Sequence, residues 1–140
     1  MIKQIDRSSL LQIEEIEREC FEDFYSLSTL ESSFSSPSFF GLIKYGDTIK
    51  GYILASVVLD TADIDKVAVK KEYRNQKIAT QLITKLESEL KLKGVKEVFL
   101  EVRRSNLPAI NLYKSNGYQK ISERKNYYGN EDALIFKKDL

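Results

Sequence analysis

The sequence predicts an α/β (α+β) fold: one domain spanning residues 1–140, with a mixed sheet flanked by helices. Three observations predict it. Short runs of alternating or continuous apolar residues, the pattern of strands, recur along the chain. Between them lie stretches whose apolar residues repeat at helical spacing. The chain is also of single-domain length, with 42% hydrophobic and 31% charged residues and neither an internal repeat nor a low-complexity linker.

Each element follows in order. Ile2 to Ile5 alternate as a short strand. Ser8 offers an N-cap hydroxyl, and Leu10, Ile13, Ile16 and Cys20 then share one helical face. The serine-rich stretch Tyr25 to Pro37 predicts a short helix near Thr29–Ser35 inside an irregular connection. Phe39–Tyr45 and Ile49–Leu59 read as strands of a hairpin turned at Gly46-Asp47. Ala62–Val69 is a further strand. From Asn75 to Lys93, Ile78, Ala79, Leu82, Ile83, Leu86, Leu90 and Leu92 form a helical stripe closed by Gly94. The apolar run Val95–Val102 predicts a strand buried on both faces. Asn106 caps a helix carrying Ala109, Ile110, Leu112 and Tyr113, with Pro108 in its first turn and Gly117 at its end. Tyr118–Ser122 and Ala133–Phe136 are closing strands around a polar, tyrosine-bearing loop, Arg124 to Asp132.

Composition narrows the function. The 22 basic and 21 acidic residues leave a net charge of +1, which argues against a nucleic-acid partner. There is no histidine, so His-based triads, His metal ligands and a histidine general base are excluded, and no metal is expected. Acid–base chemistry falls to carboxylates, tyrosines, lysines or the lone Cys20. With one cysteine no internal disulfide forms, which fits a reducing compartment; Cys20 reads as core filler before it reads as a reactive thiol. No apolar stretch approaches the ~18 residues that span a bilayer. Met1 to Asp6 lacks the apolar core of a signal peptide, so the expectation is a cytoplasmic protein without a membrane partner.

Val67 to Thr80 is the first informative segment. A strand ends in Val67-Ala68-Val69, a short basic turn follows (Lys70, Lys71, Arg74, Lys77), and a long helix begins. A helix N-terminus presents unpaired N–H groups and about half a positive charge, a ready anion site. A solvated lysine-rich loop fits the same residues, and spacing alone does not choose between them. The run Arg74-Asn75-Gln76-Lys77-Ile78-Ala79 resembles the acyl-coenzyme A signature of the GNAT acetyltransferases, Q/R-x-x-G-x-G/A. Arg74 and Ala79 match its ends, and Lys77 stands where the family has glycine.

The second informative segment resembles the RimI-like branch of that superfamily. Leu100-Glu101-Val102-Arg103-Arg104-Ser105-Asn106, then Ala109-Ile110-Asn111-Leu112-Tyr113 to Gly117-Tyr118, is similar to its "LEVR-x-SN…A-x-x-LY-x-x-x-GF" stretch. Arg124-Lys125-Asn126-Tyr127-Tyr128 and Glu131-Asp132-Ala133 resemble its "R-x-NYY…EDA" ending, so the likeness runs from about Leu59 to Phe136.

The resemblance implies a mostly antiparallel sheet of about seven strands, splayed in the middle, with about four helices. It implies acetyl-CoA as co-substrate. Val67, Ala68 and Val69 would pair with its pantetheine arm, and Arg74, Asn75, Gln76, Lys77, Ile78, Ala79 and Thr80 would hold its diphosphate. Asn106 would bond the pantetheine, Val69 would donate to the thioester oxygen, Glu101 would be the general base and Tyr113 the general acid. A buried Glu101 at the end of an apolar strand would have raised basicity; the plain alternative is an ion pair with Arg103 or Arg124. Tyr113 has a core-residue alternative, and Asn106 an N-cap one. The implied acceptor is the N-terminal alanine of a small-subunit ribosomal protein, with Tyr127 and Tyr128 on one wall of its groove, Ser26–Ser36 on the other, and Glu131 and Asp132 favouring a basic partner. Two other readings fit the same motifs: acetylation of a small amine (polyamine, aminoglycoside or amino acid), and a non-catalytic acyl-CoA-binding module.

Overall fold

The computed structural model describes residues 1–140. Its strands are β1 (Ile2–Gln4), β2 (Phe39–Tyr45), β3 (Ile49–Val58), β4 (Thr61–Val69), β5 (Glu97–Arg103), β6 (Gln119–Arg124) and β7 (Ala133–Asp139). The helices are α1 (Leu10–Cys20), α2 (Leu27–Phe34), α3 (Ile78–Leu92) and α4 (Leu107–Ser115). The strands form one sheet in the order β1-β2-β3-β4-β5-β7-β6. Every neighbouring pair is antiparallel except β4–β5, so the expected mixed, mostly antiparallel sheet of seven strands and four helices is present.

Two apolar clusters sandwich the sheet. One gathers the α3 stripe (Ile78, Leu82, Ile83, Leu86, Leu90) against Ala62, Ile64, Val98, Leu100 and Phe136. The other packs Leu10, Ile13 and Ile16 of α1 and Leu30 of α2 on Ile43, Tyr52 and Leu54. This is the burial that helical and strand periodicity encode, since each apolar face must be taken out of water.

One carboxylate lies inside the second cluster. Glu17 of α1 is fully buried. It accepts the backbone N–H of Tyr25 at 2.7 Å, pairs with Lys66 Nζ at 3.1 Å and accepts the hydroxyl of Tyr52. The Lys66 ammonium also lies 3.8 Å from the ring centre of Phe21 and 4.5 Å from that of Tyr25. A buried charge is tolerated only when so satisfied. The bonds tie the α1–α2 connection to β4.

Two features of β4 shape the middle of the sheet. Its pairing with β5 stops at Ile64↔Leu100, so the strands part beyond that point and the expected splay is present. Its pairing with β3 jumps from Ala55↔Ile64 to Leu54↔Lys66, leaving Asp65 as a bulge. A bulge re-aims the side chains that follow it. Ala62 and Ile64 therefore face α3, whereas Lys66 and Ala68 face α1. Gly51 lets β3 approach the end of β4, because a Cβ there would lie 2.8 Å from the Ala68 carbonyl oxygen.

Some local expectations are corrected. Ser8 does not cap α1. Arg7–Ser9 is a 3-10 turn whose Asp6 carboxylate accepts the hydroxyls of Ser8 and Ser9. The closing strands run longer than their apolar cores suggest, because the β6–β7 ladder continues through charged residues from Gln119↔Lys137 to Arg124↔Ala133. No helix is long and apolar enough to cross a membrane.

Candidate active site

A cavity of about 460 Å³ opens where β4 and β5 diverge. Its walls include Val67, Ala68 and Val69 of β4, Glu101 and Arg103 of β5, Ala79 of α3, and Asn106, Ala109 and Tyr113 at and within α4. Arg74 closes one end; Asp23 and Tyr128 stand at the other. Residues scattered over the middle of the sequence thus meet because two strands end their pairing early and two helices begin beside the gap.

The gap exposes main-chain groups. Lys70 N–H donates to the Lys50 carbonyl at 2.9 Å, and in an antiparallel ladder alternate residues turn toward the neighbour. Val69, the residue before it, therefore turns its N–H and C=O away from β3 and into the splay. Its carbonyl is met there by Arg74 Nε at 3.1 Å. An N–H at the edge of such a gap can pair with an extended ligand or face a developing oxyanion.

The turn before α3 has a second anion-accepting feature. Asn75 and Lys77 both adopt left-handed backbone, with φ of 64° and 61°. Such turns present successive N–H groups to one concave side. Lys77 is the N-cap of α3, at φ 61° and ψ 23°. That conformation is easy for glycine and strained for other residues. The departure from the motif at this position is thus one of side chain, and the backbone keeps the glycine shape.

Glu101 is exposed at the cavity mouth, so the burial expected for it is not found, nor is β5 buried on both faces: Val98, Leu100 and Val102 fill the core, and Glu101 shares the other, less buried face with Glu97, Phe99 and Arg103. Its Oε1 lies 3.2 Å from Arg124 Nη1. Tyr113 is 7% exposed and packs edge-on against Tyr118, with ring centres 6.0 Å apart. Burial first, and Tyr128 second, push its phenol above the ordinary tyrosine range. Asn106 is the N-cap of α4, its side chain accepting Ala109 N–H at 3.3 Å, and it also lines the cavity.

Not every expected cofactor residue lines the cavity. Ile78 is buried in the α3 core cluster. Lys77 and Thr80 line a shallow polar groove on the outer side of α3, and Asn75 and Gln76 form the turn itself. Arg74 folds inward, its Nη2 lying 3.4 Å from Cys20 Sγ. Cys20 is half-buried: it packs on the second apolar cluster, as expected, and also lines the cavity, and burial pushes its thiol up.

The acceptor-side loops meet over Arg103. Its guanidinium lies 3.3 Å from Glu131 and 3.8 Å from Asp23, and stacks on Tyr128 with 4.1 Å to the ring centre. Tyr128 faces the cavity; Tyr127 packs edge-on behind it and is half exposed. Glu131 accepts Ser105 N–H at 2.9 Å and Asp132 accepts Asn126 N–H at 2.9 Å, so both carboxylates brace the loop.

Asp63, Asp65 and Lys66 belong to no motif, yet Asp65 and Lys66 line the cavity. Burial and the nearby Glu101 charge raise the Asp63 carboxyl. Partial desolvation raises Asp65, opposed by a hydrogen bond from Ser56. The signal was present: three charged residues interrupt a strand that is otherwise apolar.

A splayed mixed sheet, with an anion-accepting turn at one end of the gap and ionisable side chains at the other, defines an acyl-coenzyme A-type transferase fold. The chain belongs to the acetyltransferase (GNAT) family, whose model matches residues 10–118. It is 41% identical over 88 residues to the [ribosomal protein bS18]-alanine N-acetyltransferase of Escherichia coli K12; that match covers 60% of this chain and 60% of the relative's length. The enzyme of the same name from Haemophilus influenzae is 31% identical over 140 residues, covering 96% of this chain and 95% of the relative. The crystal structure of the ribosomal-protein-S18-alanine N-acetyltransferase from Escherichia coli superposes with a TM-score of 0.92 at 29% identity, over 99% of this chain and 92% of that one.

Proposed function

We propose that the protein transfers the acetyl group of acetyl-CoA to the N-terminal α-amino group of a protein, and that its acceptor is the N-terminal alanine of a small-subunit ribosomal protein. One observation carries the reading: Glu101, Tyr113 and the splay-facing edge of Val69 line a single cavity. The relatives named for this reaction support the choice of acceptor.

The residues suit the coenzyme. The left-handed turn at Asn75 and Lys77 and the start of α3 offer N–H groups to a diphosphate, and Lys70, Lys71, Arg74 and Lys77 add positive charge. The open edges of Val67 and Val69 suit the amides of a pantetheine arm, with Asn106 facing them across the cavity. Acetyl-CoA, when bound, supplies an acyl group activated as a thioester.

This chain's own groups do the rest. Glu101 takes a proton from the acceptor ammonium, freeing its lone pair to attack the thioester carbonyl. Val69 N–H stabilises the negative charge that grows on the carbonyl oxygen. Tyr113, kept protonated by burial, gives its proton to the departing sulfur as the C–S bond breaks, and the second proton of the attacking nitrogen leaves to solvent, from which the phenolate is reprotonated. The Glu101 carboxylate, held by an exposed Arg124 at 3.2 Å, offers a cationic N-terminus an anionic partner at the cavity mouth. Tyr128 supplies a rigid contact surface beside it. The lone cysteine suits the reducing cytoplasm where such an acceptor is made.

Turnover of an Ala-starting peptide against a polyamine panel tests the reading. Acetylation of the peptide α-amine is expected. Turnover of a polyamine without the peptide would assign a small-amine acceptor, and coenzyme binding with no turnover of either would assign a non-catalytic module.

A further inference from the structure

We propose that Tyr118 and Glu87 are positioning residues for Tyr113: the Tyr118 ring, pinned at its hydroxyl by the Glu87 carboxylate, sets the direction in which the Tyr113 phenol points into the reaction cavity. The proposal rests on the reading of Tyr113 as proton donor given above. Tyr113 enters no side-chain hydrogen bond of its own, so its ring is aimed by packing. The aromatic ring against it is that of Tyr118, edge-on with 6.0 Å between centres.

The backbone argues first. Helix α4 is followed by Gly117 in left-handed conformation, with φ of 91°. Gly117 N–H donates to the Lys114 carbonyl at 3.0 Å, and Tyr118 N–H donates to the Tyr113 carbonyl at 3.0 Å. This paired closure folds the residue after the glycine back onto the last turn of the helix and brings the two side chains into contact. Tyr113 and Tyr118 are those two residues, which is why their rings meet. A phenylalanine would make the same contact, and the stretch that this segment resembles ends in Gly-Phe. The hydroxyl of Tyr118 is what this chain adds.

The hydroxyl argues second. It belongs to a side chain that is 2% exposed, and it donates to Glu87 Oε2 of α3 at 2.9 Å. Burial first, and the Glu87 charge second, push this phenol up, so it stays protonated and keeps donating. The other carboxylate oxygen, Oε1, accepts Lys138 Nζ of β7 at 2.9 Å. The same ammonium donates to the Asn116 carbonyl at 2.8 Å, at the end of α4. Asn116 in turn donates its side-chain amide to Thr80 Oγ1 at 3.4 Å, in the first turn of α3. These bonds tie the end of α4 to the helix that begins at the proposed diphosphate turn. Hydrogen bonds to a charged group are the strong ones, so a ring held by its hydroxyl and by its packed edge has little freedom to tilt. The Tyr113 ring that leans on it shares that restraint. Proton transfer to a departing sulfur requires the donor within hydrogen-bond reach, which a tilting ring would leave.

The test uses the full chain with acetyl-CoA and an Ala-starting peptide. Tyr118→Phe keeps the ring and deletes the hydroxyl. It should lower kcat about tenfold while KM for both substrates stays within about twofold. Glu87→Ala should lower kcat to a similar degree, whereas Glu87→Gln, which keeps an oxygen to accept the hydroxyl, should recover most of it. The same Tyr118→Phe change is then made in a Tyr113→Phe background. With no phenol left to aim, it should alter kcat by less than about twofold. A loss that persists without the Tyr113 hydroxyl, or a Tyr118→Phe enzyme with wild-type kcat, overturns the positioning role while leaving Tyr113 as the proton donor. Wild-type kcat in Tyr113→Phe alone removes the donor reading, and this proposal falls with it.

Discussion

Glu101 and Arg124 face each other across the cavity mouth, with carboxylate Oε1 and guanidinium Nη1 3.2 Å apart. Both side chains remain partly exposed, and such pairs contribute roughly 0–1 kcal/mol. An arriving ammonium can therefore displace the guanidinium at small cost and take its place beside the carboxylate. Glu101→Gln keeps the shape and removes the proton acceptor. Its kcat should fall about 10²–10⁴-fold, while calorimetry should find acetyl-CoA bound with affinity close to wild type.

Tyr113 should show its role through proton donation. Its phenol is raised above the ordinary tyrosine value of about 10, so it stays protonated through neutral and mildly basic pH. The pH–kcat profile should therefore have no descending limb from this group below that value. Tyr113→Phe should lower kcat about 10²-fold or more with a smaller change in KM, read as thiol release under saturating peptide.

Lys77 occupies a glycine conformation with a side chain attached. Lys77→Gly should relieve backbone strain on the order of 1 kcal/mol and raise Tm by a few degrees. It should also tighten acetyl-CoA binding, because the backbone then approaches the diphosphate without a Cβ. Weaker binding on calorimetry would mean instead that the Lys77 ammonium itself holds phosphate.

The buried carboxylate of α1 is the most sensitive structural position. Glu17→Ala leaves the Lys66 ammonium and the Tyr52 hydroxyl without their partner and should destabilise the fold by about 3–5 kcal/mol in urea unfolding. The Tyr25 N–H loses its acceptor too, so hydrogen exchange should rise along residues 21–25.

The β6–β7 loop should loosen in acid. Lys120 first, then Arg104, hold the Glu123 carboxyl down to about 2, and the backbone N–H of Asn126 lowers Asp132. Carboxyls depressed in the folded state stabilise it above their unfolded values of about 4 and lose that contribution as pH falls through the folded ones. Exchange of the amides at 124–132 should therefore rise between about pH 4.5 and pH 2, ahead of the sheet.

Much of this architecture was legible because its signals are local. The α3 stripe from Ile78 to Leu90, the Asn106 cap with Pro108 behind it, and the hairpin at Gly46-Asp47 each state their structure within a few residues. The motifs around Arg74, Glu101 and Tyr113 named the segments that meet at the cavity. What escaped depends on tertiary geometry. The bulge at Asp65 follows from strand register, which periodicity does not reveal. The exposure of Glu101 follows from its place on the less buried face of β5, one residue beyond the last β4–β5 pair. Glu17 looks like any acidic residue of an amphipathic helix until the fold brings Lys66, 49 residues away, to its side.

A crystal structure of the chain with acetyl-CoA shows where the diphosphate and the thioester sit. The diphosphate should lie on the backbone N–H groups between Asn75 and Ala79, and the thioester oxygen about 2.7–3.1 Å from Val69 N–H. The acetyl carbon should face the space between Glu101 and Tyr113. A diphosphate bound away from that turn, or a thioester directed away from those two side chains, would contradict the proposed function.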